Sequence, residues 1–459
     1  MSPTYKWITL YLGYRSMTFS KFTLAGATFL GTGIELKPGK FRLAAMYGRF
    51  QKAIEADSLA DDNRIPSYKR TGYGAKIGYG SRQSFCDLIV FKAYDDTSSL
   101  KKAESRDAVM PADNFCVGIN TRSQILKSLS VDAEAGISAF TRDSRLPELE
   151  SIDNKAVETF KFLFIPRSSS RLNYALSTGA NFAYRIFGLR LQFQRIEPDY
   201  QTLGAYYFTS DVQSVTIAPS LNLMKKTLRL SLSMGYQTNN LDNSKLATTE
   251  RKIGSVNINW IAGPNFSIAL QYGNYGMERS DGRRPLADSL KTNNVSQNFT
   301  ISPSLTFKTG DIIHSTALTV ASMDQSGGNG IDNSNISVNF SQSLGVPKAD
   351  VQFGASMNYS NTNSTIYESS TMGVTISASK KLFQRKLGWN GSANYSRTNQ
   401  MNADASSTVN LNNSLNYKLS DSDALTANLL YMTSDAGTAN GSSFQEIRFN
   451  LNYNRRFAM

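Results

Sequence analysis

The stretch Phe444-Gln-Glu-Ile-Arg-Phe-Asn-Leu-Asn-Tyr-Asn-Arg-Arg-Phe457 decides the fold. Ile447, Phe449, Leu451, Tyr453 and Phe457 fall on one face of an extended chain, and Arg448, Asn450, Asn452 and Asn454 on the other. A period of two is the signature of a β-strand with one apolar and one polar face. The same alternation recurs upstream. Leu228, Leu230, Leu232 and Met234 interleave with Arg229, Ser231 and Ser233, and Val351, Phe353, Ala355, Met357 and Tyr359 interleave with Gln352, Gly354, Ser356 and Asn358. These runs extend over about 9–13 residues. Globular strands average about five or six, whereas a tilted membrane-crossing strand needs about 9–11.

The connections alternate as well. Short turns read Lys37-Pro-Gly-Lys40, Ser81-Arg-Gln83, Met224-Lys-Lys-Thr227, Ala262-Gly-Pro-Asn265, Lys308-Thr-Gly-Asp311 and Gly345-Val-Pro-Lys348. Longer polar segments lie between them, near 53–67, 96–112, 143–170, 198–210, 240–250, 278–292, 324–332, 362–368, 400–406 and 435–442. Short periplasmic turns and longer extracellular loops give this rhythm. Trp260, Tyr272, Tyr359, Trp389, Tyr395, Tyr417 and Tyr431 sit on the apolar face near strand ends, where interfacial aromatic girdles form. The reading is therefore all-β: a large antiparallel transmembrane β-barrel of about 22 strands, in a range of about 20–24, taking residues 1–459 as a single domain. Its first strand starts, and its last strand ends, on the periplasmic side.

Composition is compatible with that reading without forcing it. The 459 residues are 40% hydrophobic, with 22 Tyr, 25 Phe and 12 Pro, and a mean hydropathy of −0.33. No run reaches the roughly 18 apolar residues of a membrane helix. One His and two Cys leave little material for metal or thiol chemistry. The net charge of +13 is spread along the chain rather than gathered in a basic tail, which argues against nucleic acid. Met1-Ser-Pro-Thr4 leads straight into a strand-like run with no signal peptide, so the chain is expected to lack its natural N-terminal part.

Motifs of chemistry are few. Gly72, Gly74, Gly78 and Gly80 mimic a dinucleotide loop, but they alternate with Tyr73, Ala75, Ile77 and Tyr79, and no helix follows. Cys86 and Cys116 are expected as two free, packed thiols, since roughly 20 Å of strand separates them and a disulfide needs Cα atoms within about 7 Å. His314 stands alone, and Asp61-Asp62 and Asp95-Asp96 read as solvated charge in outer loops. No catalytic set, metal site or cofactor is expected, so the protein is read as no enzyme. If the alternation holds, Arg42, Lys76, Arg185, Arg190, Arg229, Lys308, Lys418 and Arg448 face the lumen, with Asp132 and Glu134 as the main inward acids. A net basic lumen favours anions. The competing reading pairs these side chains with loops or an inserted segment.

Two stretches go further. YLGYRSMTFSKFTLAGATFLGTGIELKPGKFRLAAMYGRFQKAI (11–54) and PSYKRTGYGAKIGYG (66–80) resemble a functionally uncharacterised group of outer-membrane β-barrel proteins of the Bacteroidota. The resemblance covers about a fifth of the chain and brings no catalytic residues. It implies further strand-like segments before Tyr5.

The expected function is a porin-like or transport pore in the outer membrane of a Gram-negative bacterium, with a basic lumen for small anionic or polar solutes. The alternatives are the barrel of a TonB-dependent transporter lacking its plug, and a structural or assembly component with a filled lumen. Expected partners are outer-membrane lipid and lipopolysaccharide and the barrel insertion machinery. Phe449, Leu451, Tyr453 and Phe457 are the candidate C-terminal insertion signal.

Overall fold

A computed structural model describes residues 3–56, 65–149, 164–328, 330, 332–401, 403–420, 422–436 and 443–455. Asp61, Asp62 and Phe457 lie outside the described residues. The fold is all-β, a 23-stranded antiparallel sheet with one short helix among the described residues. The strand number falls inside the range read from the sequence. Two compact units divide the chain: unit 1 is Met1–Ala218 with Gly235–Glu250 and Asp281–Leu286, and unit 2 is the remainder.

Unit 1 contains β1 (Thr4–Tyr5), β2 (Ile8–Thr18), β3 (Ala25–Leu36), β4 (Phe41–Gln51), β5 (Lys69–Gly80), β6 (Phe85–Asp96), helix α1 (Ala103–Ala108), β7 (Asp113–Leu126), β8 (Leu129–Thr141), β9 (Ser170–Tyr184) and β10 (Phe187–Ile196). Each strand pairs antiparallel with the next. The strands β11 (Val212–Leu223), β12 (Leu228–Thr238), β13 (Ala247–Ile261) and β14 (Phe266–Asp281) contribute residues to both units. Unit 2 continues with β15 (Thr292–Thr309), β16 (Ile312–Ser326), β17 (Asp332–Val346), β18 (Val351–Ser364), β19 (Glu368–Leu382), β20 (Leu387–Gln400), β21 (Ala403–Lys418), β22 (Asp423–Asp435) and β23 (Phe444–Arg455). These too pair in chain order.

Four of the six short turns fall between strands as read, and the other two begin inside them, β15 taking in Lys308 and Thr309 and β17 Gly345 and Val346. Several of the long segments shrink: β13 begins at Ala247, β14 runs on to Asp281, β16 to Ser326 and β18 to Ser364, and β21 begins at Ala403. These polar ends continue their strands beyond the point where polarity alone suggested a loop.

The alternation puts apolar side chains on an exposed face. In unit 1, Tyr47, Tyr73, Ile77, Leu88, Val90, Val117 and Ile137 are exposed, while their neighbours Met46, Ile89, Phe91 and Cys116 are buried. In unit 2 the register carries an apolar row across six strands, Leu318, Phe340, Met357, Val374, Tyr395 and Val409. The row beside it is polar: Ser341, Ser356, Thr375, Asn394 and Asn410.

Candidate functional site

The buried face of unit 1 is covered by the chain itself. At the end of β2 the register slips between Ser16 and Thr18, and Met17 turns inward, 6% exposed. The segment 19–24 then dips beneath the strand ends, closed by Phe19 N–H donating to the Leu24 carbonyl at 2.9 Å. A second segment, 197–211, follows β10 and docks against it. The Tyr200 hydroxyl donates to the Phe22 carbonyl at 2.6 Å, and the Thr202 hydroxyl donates to the Thr23 carbonyl at 2.6 Å. Ala25 N–H donates to the Gly204 carbonyl at 2.9 Å. Gly204 is required there, since a Cβ would lie 2.5 Å from the Thr23 carbonyl oxygen.

Strand side chains complete the docking. Glu134 accepts Lys21 N–H at 2.6 Å, Asn114 accepts Leu203 N–H at 3.0 Å, and the Ser138 hydroxyl donates to the Gln201 carbonyl at 2.5 Å. Phe22, Tyr200 and Phe208 form an aromatic trio with centroids 5.2–6.3 Å apart. A second cluster joins Phe19, Leu24, Phe29, Met46, Ile89 and Phe91. Burying one such aromatic stabilises by about 1.5–3 kcal/mol. Burial also pushes the Tyr200 phenol well above its ordinary range. The reading of 198–210 as a polar outer loop is thus corrected. The signal was present in Tyr200 and Phe208, which pack inward, whereas Tyr206 and Tyr207 in the same run stay exposed.

The predicted basic residues separate. Arg42 does lie on the buried face, but Asp87 binds it through two bonds of 2.7 and 2.9 Å, and its guanidinium stacks 4.1 Å from the Phe85 ring centroid. Asp87 is 1% exposed, and the strand opposite makes room for it with Gly78, where a Cβ would overlap the carboxylate. Lys76, 8% exposed, reaches over the Phe19 ring at 5.7 Å. Arg190 shares the face of Gln194 and Ile196, which meet Lys21 and the aromatic trio. Arg185 is not on a strand: it occupies the two-residue turn between β9 and β10 with a left-handed φ of 51°. Arg229 and Lys308 are exposed on the polar sides of β12 and β15, and Lys418 ends β21. Arg448 is held by Glu446 at 2.6 Å. Sequence reasoning missed Asp87, because a lone acid in an alternating strand carries no motif.

The polar face of unit 2 has no comparable cover among the described residues. On β18 it reads Gln352, Gly354, Ser356, Asn358 and Ser360, and on β20 Asn390, Ser392, Asn394, Ser396 and Thr398. These side chains bond sideways along the sheet, as when Asn394 donates to Thr375 at 2.8 Å. Open polar recesses of about 360 and 260 Å³ lie along it.

Gly72, Gly74, Gly78 and Gly80 are inside β5, as expected. Both cysteines are free, but only Cys116 is packed: Cys86 is exposed. The register explains why, since Cys86 faces Thr121 while Cys116 faces Phe91 on the opposite side of the sheet. His314 stacks on its cross-strand partner Phe307 at 4.6 Å. Asp95-Asp96 is not loop charge: it ends β6, and Asp95 is buried and bound by Arg70 at 2.8 and 2.9 Å. Among the described residues no group of three or more His, Cys, Asp or Glu is placed to hold a metal ion. Phe449, Leu451 and Tyr453 line one side of β23, 56–63% exposed.

No family model and no curated protein matches the chain. Solved structures similar to it include the FrpB iron transporter from Neisseria meningitidis, 13% identical with a TM-score of 0.41, covering 93% of this chain and 79% of that one. OccK11 of Pseudomonas aeruginosa is 12% identical with a TM-score of 0.36, covering 84% and 94%. OccAB4 of Acinetobacter baumannii is 15% identical with a TM-score of 0.35, covering 81% and 96%. At these values they assign neither family nor activity.

Proposed function

We propose that the protein is an integral outer-membrane β-barrel with a porin-like transport role for small polar solutes. One observation carries this: long strands in both units expose an apolar face, with Ile376, Met357, Leu88 and Ile77 at 49–64%, and set polar side chains opposite. A soluble protein rarely exposes a contiguous apolar patch beyond a few hundred Å². Lipid outside and water inside satisfy both faces. Lipid and lipopolysaccharide are then the partners of the apolar face, and the C-terminal strand is the segment offered to the insertion machinery.

The neutral hydroxyl and amide lining of unit 2 suits polar solutes without strong charge selection. Arg190, Arg229 and Lys308 would add only a mild anion preference, because Arg42 and Arg448 already hold acids. Single-channel recording in planar bilayers tests this. Stable openings with modest anion preference are expected; strong cation preference would overturn the solute class. A second reading draws on the filled interior of unit 1: a structural component whose loops bind other proteins. Absence of conductance, with the protein recovered in outer-membrane fractions, would favour it.

A further inference from the structure

We propose that unit 1 carries a receptor cup for a small organic anion, a carboxylate on an apolar body, at the long-loop end of its strands. The cup has a volume of about 850 Å³, within the range of about 300–1,000 Å³ usual for ligand pockets. Its walls come from α1 and the strand ends of β8 and β9, and its floor is the docked segment 197–211. Met110 and Phe140 supply an apolar side. Arg142 and Arg171 supply two guanidinium groups, and Asp199 is the one acid of the lining among the described residues.

Three arrangements make this a site for an anion. First, the backbone on either side of Arg142 is clamped. Thr141 and Ser170 share a hydroxyl bond of 2.6 Å, and Asp143 N–H donates to the Ser169 hydroxyl, which in turn donates to the Asp143 carbonyl, both at 3.1 Å. Those bonds tie the base of Arg142 to the residues just before Arg171, fixing both arginines in one rim. Second, the acid next in sequence to Arg142 is already engaged: Asp143 binds Arg145 at 2.9 and 2.8 Å. Third, Arg171 meets Asp199 only at 3.7 Å, with both side chains more than half exposed, a contact that a ligand carboxylate can replace or extend. A guanidinium fork matches a planar carboxylate through two parallel bonds.

The floor makes the cup blind. The Gln201 carbonyl is held by Ser138, and its neighbours Tyr200 and Thr202 are buried, 0% and 5% exposed. A ligand therefore rests on the docked segment rather than passing beneath it. The cup is the same whichever reading of the pore holds.

Titration calorimetry on the purified full chain in detergent micelles tests it, with three probes. Benzoate carries the carboxylate and an apolar body, benzyl alcohol the body alone, and inorganic phosphate an anion without the body. Saturable benzoate binding is expected, with the other two at least tenfold weaker. Arg142→Ala should weaken benzoate at least tenfold and Arg142→Lys by less, with heat-dependent gel mobility confirming that each variant folds. Should Arg142→Ala not fold, Arg171→Ala carries the same expectation. No benzoate binding, equal binding by the arginine variants, or phosphate binding as tight as benzoate would each overturn the proposal.

Discussion

Units 1 and 2 use the same alternation and treat their polar faces in opposite ways. In unit 1 the face bears ions and large apolar side chains together, with Arg42, Lys76 and Asp87 beside Met46, Ile89 and Phe91, and the chain covers them with 19–24 and 197–211. In unit 2 the corresponding face of β18 and β20 is serine, threonine, asparagine, glutamine and glycine, charges such as Arg229, Lys308 and Arg448 stand exposed on other strands, and the face stays bare among the described residues. The difference follows from desolvation. A charge can be covered only if it is paired, and a phenylalanine on a watery face is stabilised only if something packs on it. Unit 1 supplies both the pairs and the packing segment; unit 2 needs neither.

The strongest way to break the comparison is to remove the cover. Phe22 is 1% exposed and touches both Tyr200 and Phe208. Phe22→Ala should destabilise unit 1 by about 3–5 kcal/mol, the usual cost of emptying a buried aromatic site. Hydrogen exchange should show lost protection at 19–24 and 197–211, with β15–β22 unchanged. Uniform loss across both units would mean that the filled interior is not a local structure.

Next comes the ion pair. Asp87→Ala leaves Arg42 and Lys76 without the acid they face, and breaking a buried pair costs about 3–5 kcal/mol. The lower end is expected here, because the Arg42 side chain keeps 22% exposure. The matching change in unit 2, Glu446→Ala, removes a partner of Arg448 where both side chains are 38–57% exposed, and should shift stability by less than about 0.5 kcal/mol. Denaturant midpoints in one detergent compare the two directly.

Adjacent residues of β19 test the membrane reading. Ile376 is 62% exposed on the apolar face, and Ser377 lies on the polar face beside Gly354. With lipid on the apolar side, Ile376→Lys should cost about 2–4 kcal/mol and Ser377→Lys close to nothing. Folding into lipid vesicles measures both. Equal tolerance would sink the assignment of lipid to that face, since a water-exposed isoleucine accepts lysine freely.

How much of this was legible in the sequence divides along the same line. The faces were: Val351 to Tyr359 and Ile447 to Tyr453 alternate, and the ladder obeys them. The turns were, because Pro, Gly and Lys mark them locally. The cover was not. Tyr200 is bonded to Phe22, 178 residues away, and no local pattern records a contact of that range. Asp87 was invisible for the same reason, since its meaning depends on Arg42, 45 residues earlier. The arginines of the cup, Arg142 and Arg171, flank a segment, 143–170, read only as a long loop. Composition held only part of the signal: 198–210 was read as a polar loop although it carries Tyr200 and Phe208, the two aromatics that pack inward.

The smallest effect concerns the rim where unit 1 meets solvent. Asp143 is held below the ordinary carboxylate range, first by its bonds to the Arg145 guanidinium. A carboxylate with a depressed folded pKa stabilises its surroundings above its unfolded value, near 3.9, and loses that contribution as pH falls through the lower folded value. The contact is partly solvated, with the two side chains 13% and 36% exposed, so salt screens it. Protection of the backbone around Asp143 should therefore be flat from pH 8 to about 5 and fall below about 4. Asp143→Asn should lower it at neutral pH and remove the acid dependence. The same measurement on β18 and β20 should show no step, because the polar face there carries no carboxylate to titrate. A pH step in both places, or in neither, would show that ionic pairing does not distinguish the covered region from the bare one.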